Sequence, residues 1–206
     1  MGQISSQRAE QVVIVPFPKA KHLITSATHF RSTWLLSSIR ALRDRGSIDA
    51  YLRHVGPRRD QLLALVAGVW VPVAWAADHY RACEALKLPV ADQLAMGKAV
   101  GEMAQGSLID TATKLVRGTD PWAIAPLFER LYHRAVDGGG AAVFQTGPKE
   151  ARIEFTGVEL FAIPYFRNAF RGVVLGVVSL VSSTVTAHDI TPSHLPHESW
   201  MRLDWA

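Results

Sequence analysis

An α+β fold is predicted, with a helical bundle in the first two thirds packed on a small antiparallel sheet that has one helix between its strands. Three observations lead there. From Ser32 onward apolar residues recur at i, i+4 and i+7, the helical period. After Gly138-Gly139-Gly140 the period shortens to two: Ala151, Ile153 and Phe155 alternate with Arg152, Glu154 and Thr156. The order is therefore helices first, then strand, helix, strand, strand, with helix and sheet sharing one core.

Residues 1–30 read as an N-terminal arm whose order depends on docking to the body or to a partner. Within it Val12–Val15 has strand character, limited to an edge by Pro16 and Pro18. A first helix opens at Ser32, carries Leu35, Ile39 and Leu42 on one face, and stops at Gly46. Gly56-Pro57 opens a second, with Leu62, Leu63, Leu65 and Val66 as its apolar set, ending near Gly68. A third spans Val69 to Leu86 with Pro72 in its first turn; Trp75, His79, Ala82 and Leu86 share a face, beside Tyr80 and Cys83. Pro89 stops it. A long helical pattern runs from Val90 to Val116, and its Gly97 and Gly101, one turn apart, call for close packing against another helix. Asp120-Pro121 is a strong helix start, followed by Ile124, Phe128 and Leu131, with Arg134 on another face. The three glycines terminate it. A strand at Ala151–Thr156 precedes a helix over Pro164–Ser182, striped with Phe166, Phe170, Val173, Val174 and Val177. Strands at Thr184–Ile190 and Met201–Trp205 close the chain, and Trp205 must be buried for that end to stay ordered.

At 206 residues, with 49% apolar and 19% charged, the chain is neither wholly disordered nor a coiled-coil rod. The length suits one domain, residues 31–206, plus the arm. The single cysteine, Cys83, excludes an intrachain disulfide and a multi-cysteine zinc site, and a reduced, cytoplasmic setting is expected. Residues 1–60 hold 10 Lys and Arg against 4 Asp and Glu. Such a balance attracts nucleic acid or an anionic membrane surface. The cations are dispersed, however, so a solvated face is the simpler reading and no nucleic-acid partner is expected. The most apolar stretch, Gly172–Ala187, is broken by serines and threonines and is too short to span a membrane. The first residues match the Gly2-x-x-x-Ser6 myristoylation pattern, which is short and common.

No catalytic residue and no metal ligand is assigned, and no cofactor is called for. There is no G-x-S-x-G elbow, and Cys83 sits mid-helix where a buried thiol is inert. His188, His194 and His197 cluster in a loop with Pro192 and Pro196, a poor match to a closed metal site. The glycine run lacks the Lys and Ser/Thr of a phosphate loop. The remaining signal is aromatic. Trp75, His79, Tyr80, Tyr165, Phe166 and Phe170 are the candidate ligand-binding residues, an apolar lining with a few polar groups between helices and sheet.

The residues Ser32-Thr33-Trp34-Leu35 with Leu42 and Gly46, Trp75 with Tyr80, Gly97, Asp120-Pro121, Leu131-Tyr132, Asp137-Gly138-Gly139 and the closing Asp204-Trp205 carry a resemblance. The chain from Phe30 to Trp205 resembles a paralogous domain family expanded in Myxococcus and its relatives. That family is similar in layout to the superfamily of haem nitric-oxide-binding, four-vinyl-reductase and vesicle-tethering domains. The resemblance implies an α+β ligand-binding or scaffold fold, often dimeric, used in sensing and regulation. It does not carry haem over: the tyrosine-serine-arginine signature for the porphyrin propionates and the family's late cysteines are absent.

The expected function is therefore a non-enzymatic sensory or regulatory signalling domain binding a small, largely apolar ligand. The alternative is a protein-interaction scaffold with a filled core, docking a partner or a second copy. A haem or metal sensor using His79 or the His188–His197 loop stands behind both.

Overall fold

A computed structural model describes residues 11–103, 120–195 and 197–206. The predicted helical continuation over 104–116 and the Gly2 pattern lie outside the described residues. The α+β architecture is as expected, but it contains more strands than the alternation revealed.

Strand β1 (Val12–Val15) is an edge strand, and β2 (His29–Arg31) leads directly into α1 (Ser32–Asp44). In α1 the predicted face is the buried one, with Leu35, Ile39 and Leu42 at 0–1% exposure. Helix α2 (Ile48–His54), which the spacing did not reveal, buries Tyr51. The helix expected from Gly56-Pro57 is short. A 3₁₀ turn at Gly56–Arg58 feeds α3 (Arg59–Leu63), leaving Leu65 and Val66 outside it.

Pro72 stands just before a helix rather than inside one. Trp70–Pro72 is strand β3, paired antiparallel with β2, and α4 runs Val73–Glu84. Helix α5 (Val90–Met103) follows. Asp120 caps as expected, accepting the Trp122 N–H at 3.1 Å. It opens a 3₁₀ segment, Pro121–Leu127, because Pro126 interrupts the α-helical ladder. Helix α6 is Phe128–Ala135. Strands β4 (Val136–Asp137), β5 (Gly140–Gly147) and β6 (Glu150–Thr156) precede α7 (Pro164–Val178), then β7 (Val185–Asp189) and β8 (Ser199–Trp205).

The main sheet has five strands in the order β1-β5-β6-β8-β7, all pairs antiparallel; a second, smaller sheet has the order β3-β2-β4. Helix α7 connects β6 to β7, the helix between strands. Register sets the inner face: Val143 pairs with Ile153 and Ile153 with Met201, while Ala151 pairs with Leu203. The arm's described part is built into this body. Besides β1 in the sheet, Lys21 Nζ reaches Glu198 at 2.6 Å and Glu154 at 3.6 Å.

Helices α5 and α7 touch backbone to backbone. A Cβ at Gly97 would fall 1.7 Å from the Ala169 carbonyl oxygen, and one at Gly172 would fall 2.1 Å from that of Leu94. Gly101 and Gly176 repeat the relation one turn on, against Val173 and Lys98. The start of α7 is capped from α4. Pro164 lacks an N–H, and the Tyr165 N–H donates to the Glu84 carboxylate. Glu84→Ala leaves that buried donor bare and is expected to cost about 1–2 kcal/mol, read as a lower urea midpoint at unchanged slope.

Candidate functional site

The six candidate residues are mostly buried, but they do not enclose one pocket. Trp75 is half-buried at the rim, with the Arg58 guanidinium 5.5 Å from its ring centre. His79 is fully buried on α4. Its Nδ1 lies 2.8 Å from the Tyr51 hydroxyl and its Nε2 2.9 Å from that of Ser38. One ring nitrogen donates and the other accepts, and either hydroxyl can take the matching role. Burial alone holds His79 neutral, down to a pKa of about 3. Burial likewise pushes the Tyr51, Tyr80, Tyr165 and Cys83 groups up, so all stay protonated.

Tyr80, Tyr165, Phe166 and Phe170 form a ring cluster, with centroids 4.7 Å apart for Tyr80–Phe166 and 5.5 Å for Phe166–Phe170. The void they line holds about 20 Å³, space for no more than a water.

A larger cavity, about 150 Å³, lies on the other side of Phe170, and that ring is its one wall residue from the six. Val173, Val174, Val177 and Val178 of α7 form one wall. Val143, Ala151, Ile153, Leu203 and Trp205 of the sheet form the second. Ile124, Phe128, Leu131 and Ala135 form the third, with Trp34 and Trp122 completing it. Trp122 meets Trp205 edge to face at 4.9 Å and is fixed by its indole N–H donating to the Pro148 carbonyl at 2.9 Å. Gly101 lines the cavity too, so the close α5–α7 contact forms part of its wall. Both stripes were visible in the sequence, Ile124–Phe128–Leu131 and Val173–Val174–Val177, but as core faces. Arg134, on another face by its spacing, is the one charged residue among the described residues of the lining, and it is exposed.

Among the described residues no group of three His, Cys, Asp or Glu stands together as a metal site. His188, expected in a loop with the other histidines, stands instead on β7, 3.8 Å from Asp204 on β8.

No family model matches the chain, and no curated protein does. Solved structures do. An H-NOX protein from S. oneidensis in the Fe(II) ligation state superposes with a TM-score of 0.60 at 10% identity, over 85% of this chain and 96% of that one. The Fe(II) unliganded H-NOX protein from K. algicida gives 0.59 at 7% identity, over 85% and 96%. A structure from work on haem distortion in the H-NOX family gives 0.59 at 10% identity, over 85% and 94%. At these identities the likeness is one of fold.

The residues present do not fit a haem in the cavity. No histidine or cysteine lines it, and residues 104–119 contain neither. The one phenol in the lining, Tyr132, is committed: its hydroxyl donates to the Gly138 carbonyl at 3.0 Å. Axial haem ligation uses such side chains.

Proposed function

We propose that the chain is a non-catalytic sensory or regulatory domain that takes a small, largely apolar ligand between its helices and its sheet. The observation that carries this is the cavity of about 150 Å³. Protein interiors normally close to voids near the size of water. Side chains facing an unfilled space lack partner atoms on one side, and an occupant restores those contacts. Apolar cavities of this volume admit benzene-sized molecules. The likeness of fold to H-NOX proteins supports the sensory role. The finer assignment to the Myxococcus-type family belongs to this proposal and rests on the residues quoted for it. So do the cytoplasmic setting, the division into arm and single domain, and the readout by a protein partner or a second copy.

The walls differ in stiffness. Helix α7 is locked to α5 by interlocked glycines. The Pro121–Leu127 segment has the poorer hydrogen-bond geometry of a 3₁₀ helix. Filling the cavity therefore displaces the 3₁₀ segment and α6 rather than α7, and the signal emerges on that side.

Native mass and a visible spectrum of the purified protein come first, and a Soret band would overturn the reading in favour of haem. Benzene is then the probe. Near a hundredfold excess over its Kd it should stabilise the protein by about 2.7 kcal/mol, seen as a raised Tm. Ala151→Leu fills the cavity from the sheet and should abolish that rise while leaving the unliganded Tm equal or higher. No rise in the parent chain, or the same rise in both, refutes it.

A further inference from the structure

From Leu62 to Ala77 the chain carries no charged or hydrogen-bonding side chain other than the Trp70 and Trp75 indoles. Much of this run is not buried. In the loop between α3 and β3, Val66 is 64% exposed, and Val69 and Trp70 at its end are 40% and 38% exposed. The same loop is pinned from within by the start of α1. The Ser32 hydroxyl donates to the Val66 carbonyl at 2.7 Å and accepts the Val69 N–H at 3.0 Å, and the Ser32 N–H donates to the Val69 carbonyl at 2.9 Å. Thr33 Oγ1 accepts the Gly68 N–H at 3.0 Å, and Arg31 donates to the Gly68 carbonyl at 2.9 Å. The backbone is turned inward and satisfied, so its apolar side chains are held out in water. Val66 gains little from that arrangement, and Val69 and Trp70 each leave more than a third of their surface in water; an ordered apolar protrusion of this kind suits a contact site.

The surroundings select the partner. The Arg31 guanidinium lies over the Trp70 ring at 3.8 Å, and its Nε donates to the Arg134 carbonyl at 3.3 Å, bringing the last turn of α6 alongside. Among the described residues neither Arg31 nor Arg134 is paired with a carboxylate. The carboxylate on the outer face of the small sheet, Asp137, lies farther along, 3.7 Å from His29. A few protruding side chains offer far less than the ~800 Å² per partner of a stable protein pair. They suffice for shallow insertion into a bilayer surface, where tryptophan prefers the headgroup level and each nearby cation contributes about 1 kcal/mol on anionic lipid. No helix among the described residues is long and apolar enough to cross a membrane, so the contact is with the surface.

We propose that the Val66–Trp70 loop is a docking tip for an anionic lipid surface, with Val66, Val69 and Trp70 entering the headgroup boundary and Arg31 and Arg134 meeting the phosphates. The test is cosedimentation of the whole chain with phosphatidylcholine vesicles, with and without about one third phosphatidylserine as the anionic lipid. Binding should be at least about tenfold stronger with phosphatidylserine and fall severalfold at high salt. Val66→Asp, at an exposed site that leaves the thermal melt unchanged, should cut it about tenfold or more. Leu23→Asp, equally exposed on the arm, should lose less than half as much. No serine-lipid dependence, binding that survives Val66→Asp, or equal loss in both variants overturns the proposal. So does a Val66→Asp chain that turns from dimer to monomer in the ultracentrifuge, since the tip then belongs to a second copy.

Discussion

Gly97→Ala is expected to destabilise the protein by about 3 kcal/mol or more, and Gly97→Val to prevent folding. Helix propensity alone argues the opposite sign, since alanine in place of an interior glycine favours the helix by about 0.5–1 kcal/mol. Geometry decides. The new methyl would stand 1.7 Å from the Ala169 carbonyl oxygen and 2.6 Å from its carbon, both backbone atoms with nowhere to turn. Relief requires moving α5 away from α7 by more than an ångström. Gly101, Gly172 and Gly176 make the same kind of contact, so the whole interface opens together. A gap of 0.5–1 Å already forfeits a quarter to a half of each dispersion contact. Gly46→Ala is the control. Nothing beyond its chain neighbours lies within 4 Å of that Cβ, so its cost is only that of a φ of +69°. Urea denaturation of both variants checks this. A Gly97→Ala protein at least as stable as its parent would show that the helices are not in backbone contact.

That contact was legible before any coordinates, as two glycines one turn apart on a helical pattern. So were the faces of α1 and α7 and the alternation of β8, because one buried side imposes a period; β6 alternates in residue type, but Glu154 and Thr156 on its other side are buried as well. Burial of Trp205, at 9% exposure, follows the same logic. Strand β5 was not legible. Its GAAVFQTG run is buried on both sides over Gly140–Val143, so no alternation marks it. The three-residue strands β2 and β3 exist only through pairing with each other and β4, which local spacing cannot encode. The helical spacing of the next segment therefore extends over Trp70–Pro72, although these residues pair as a strand. The six candidate residues belong to the buried aromatic region, but the void is elsewhere. Whether two apolar stripes close on each other depends on small side chains where they meet. Here Gly101, Ala135 and Ala151 line the walls and are too short to fill the space between them, and no one-dimensional pattern reports that.

Below pH 6.5 the protein should lose stability by about 1.4 kcal/mol per pH unit through His79 alone. The native imidazole is held neutral to about pH 3 by complete burial, whereas an unfolded histidine takes its proton near 6.5. The unfolded state therefore binds one more proton between these values. The stability is fully present above pH 6.5 and drains as the pH falls, reaching about 4–5 kcal/mol in total near pH 3. Nothing nearby offsets this. Tyr51, Tyr80 and Cys83 are neutral and held protonated, so no anion faces the ring. The partners of both ring nitrogens, at 2.8 and 2.9 Å, are neutral hydroxyls rather than carboxylates, so no counter-charge compensates the desolvation. Urea midpoints between pH 7 and 5, ahead of most carboxylate titration, isolate the effect. His79→Gln keeps one donor and one acceptor for Tyr51 and Ser38 but cannot titrate. It should be less stable than the parent at pH 7.5, and its pH slope should be shallower by one proton. Parallel slopes in the two proteins would mean that His79 is solvated or charged in the native state, and the closed Tyr51–His79–Ser38 arrangement would be wrong.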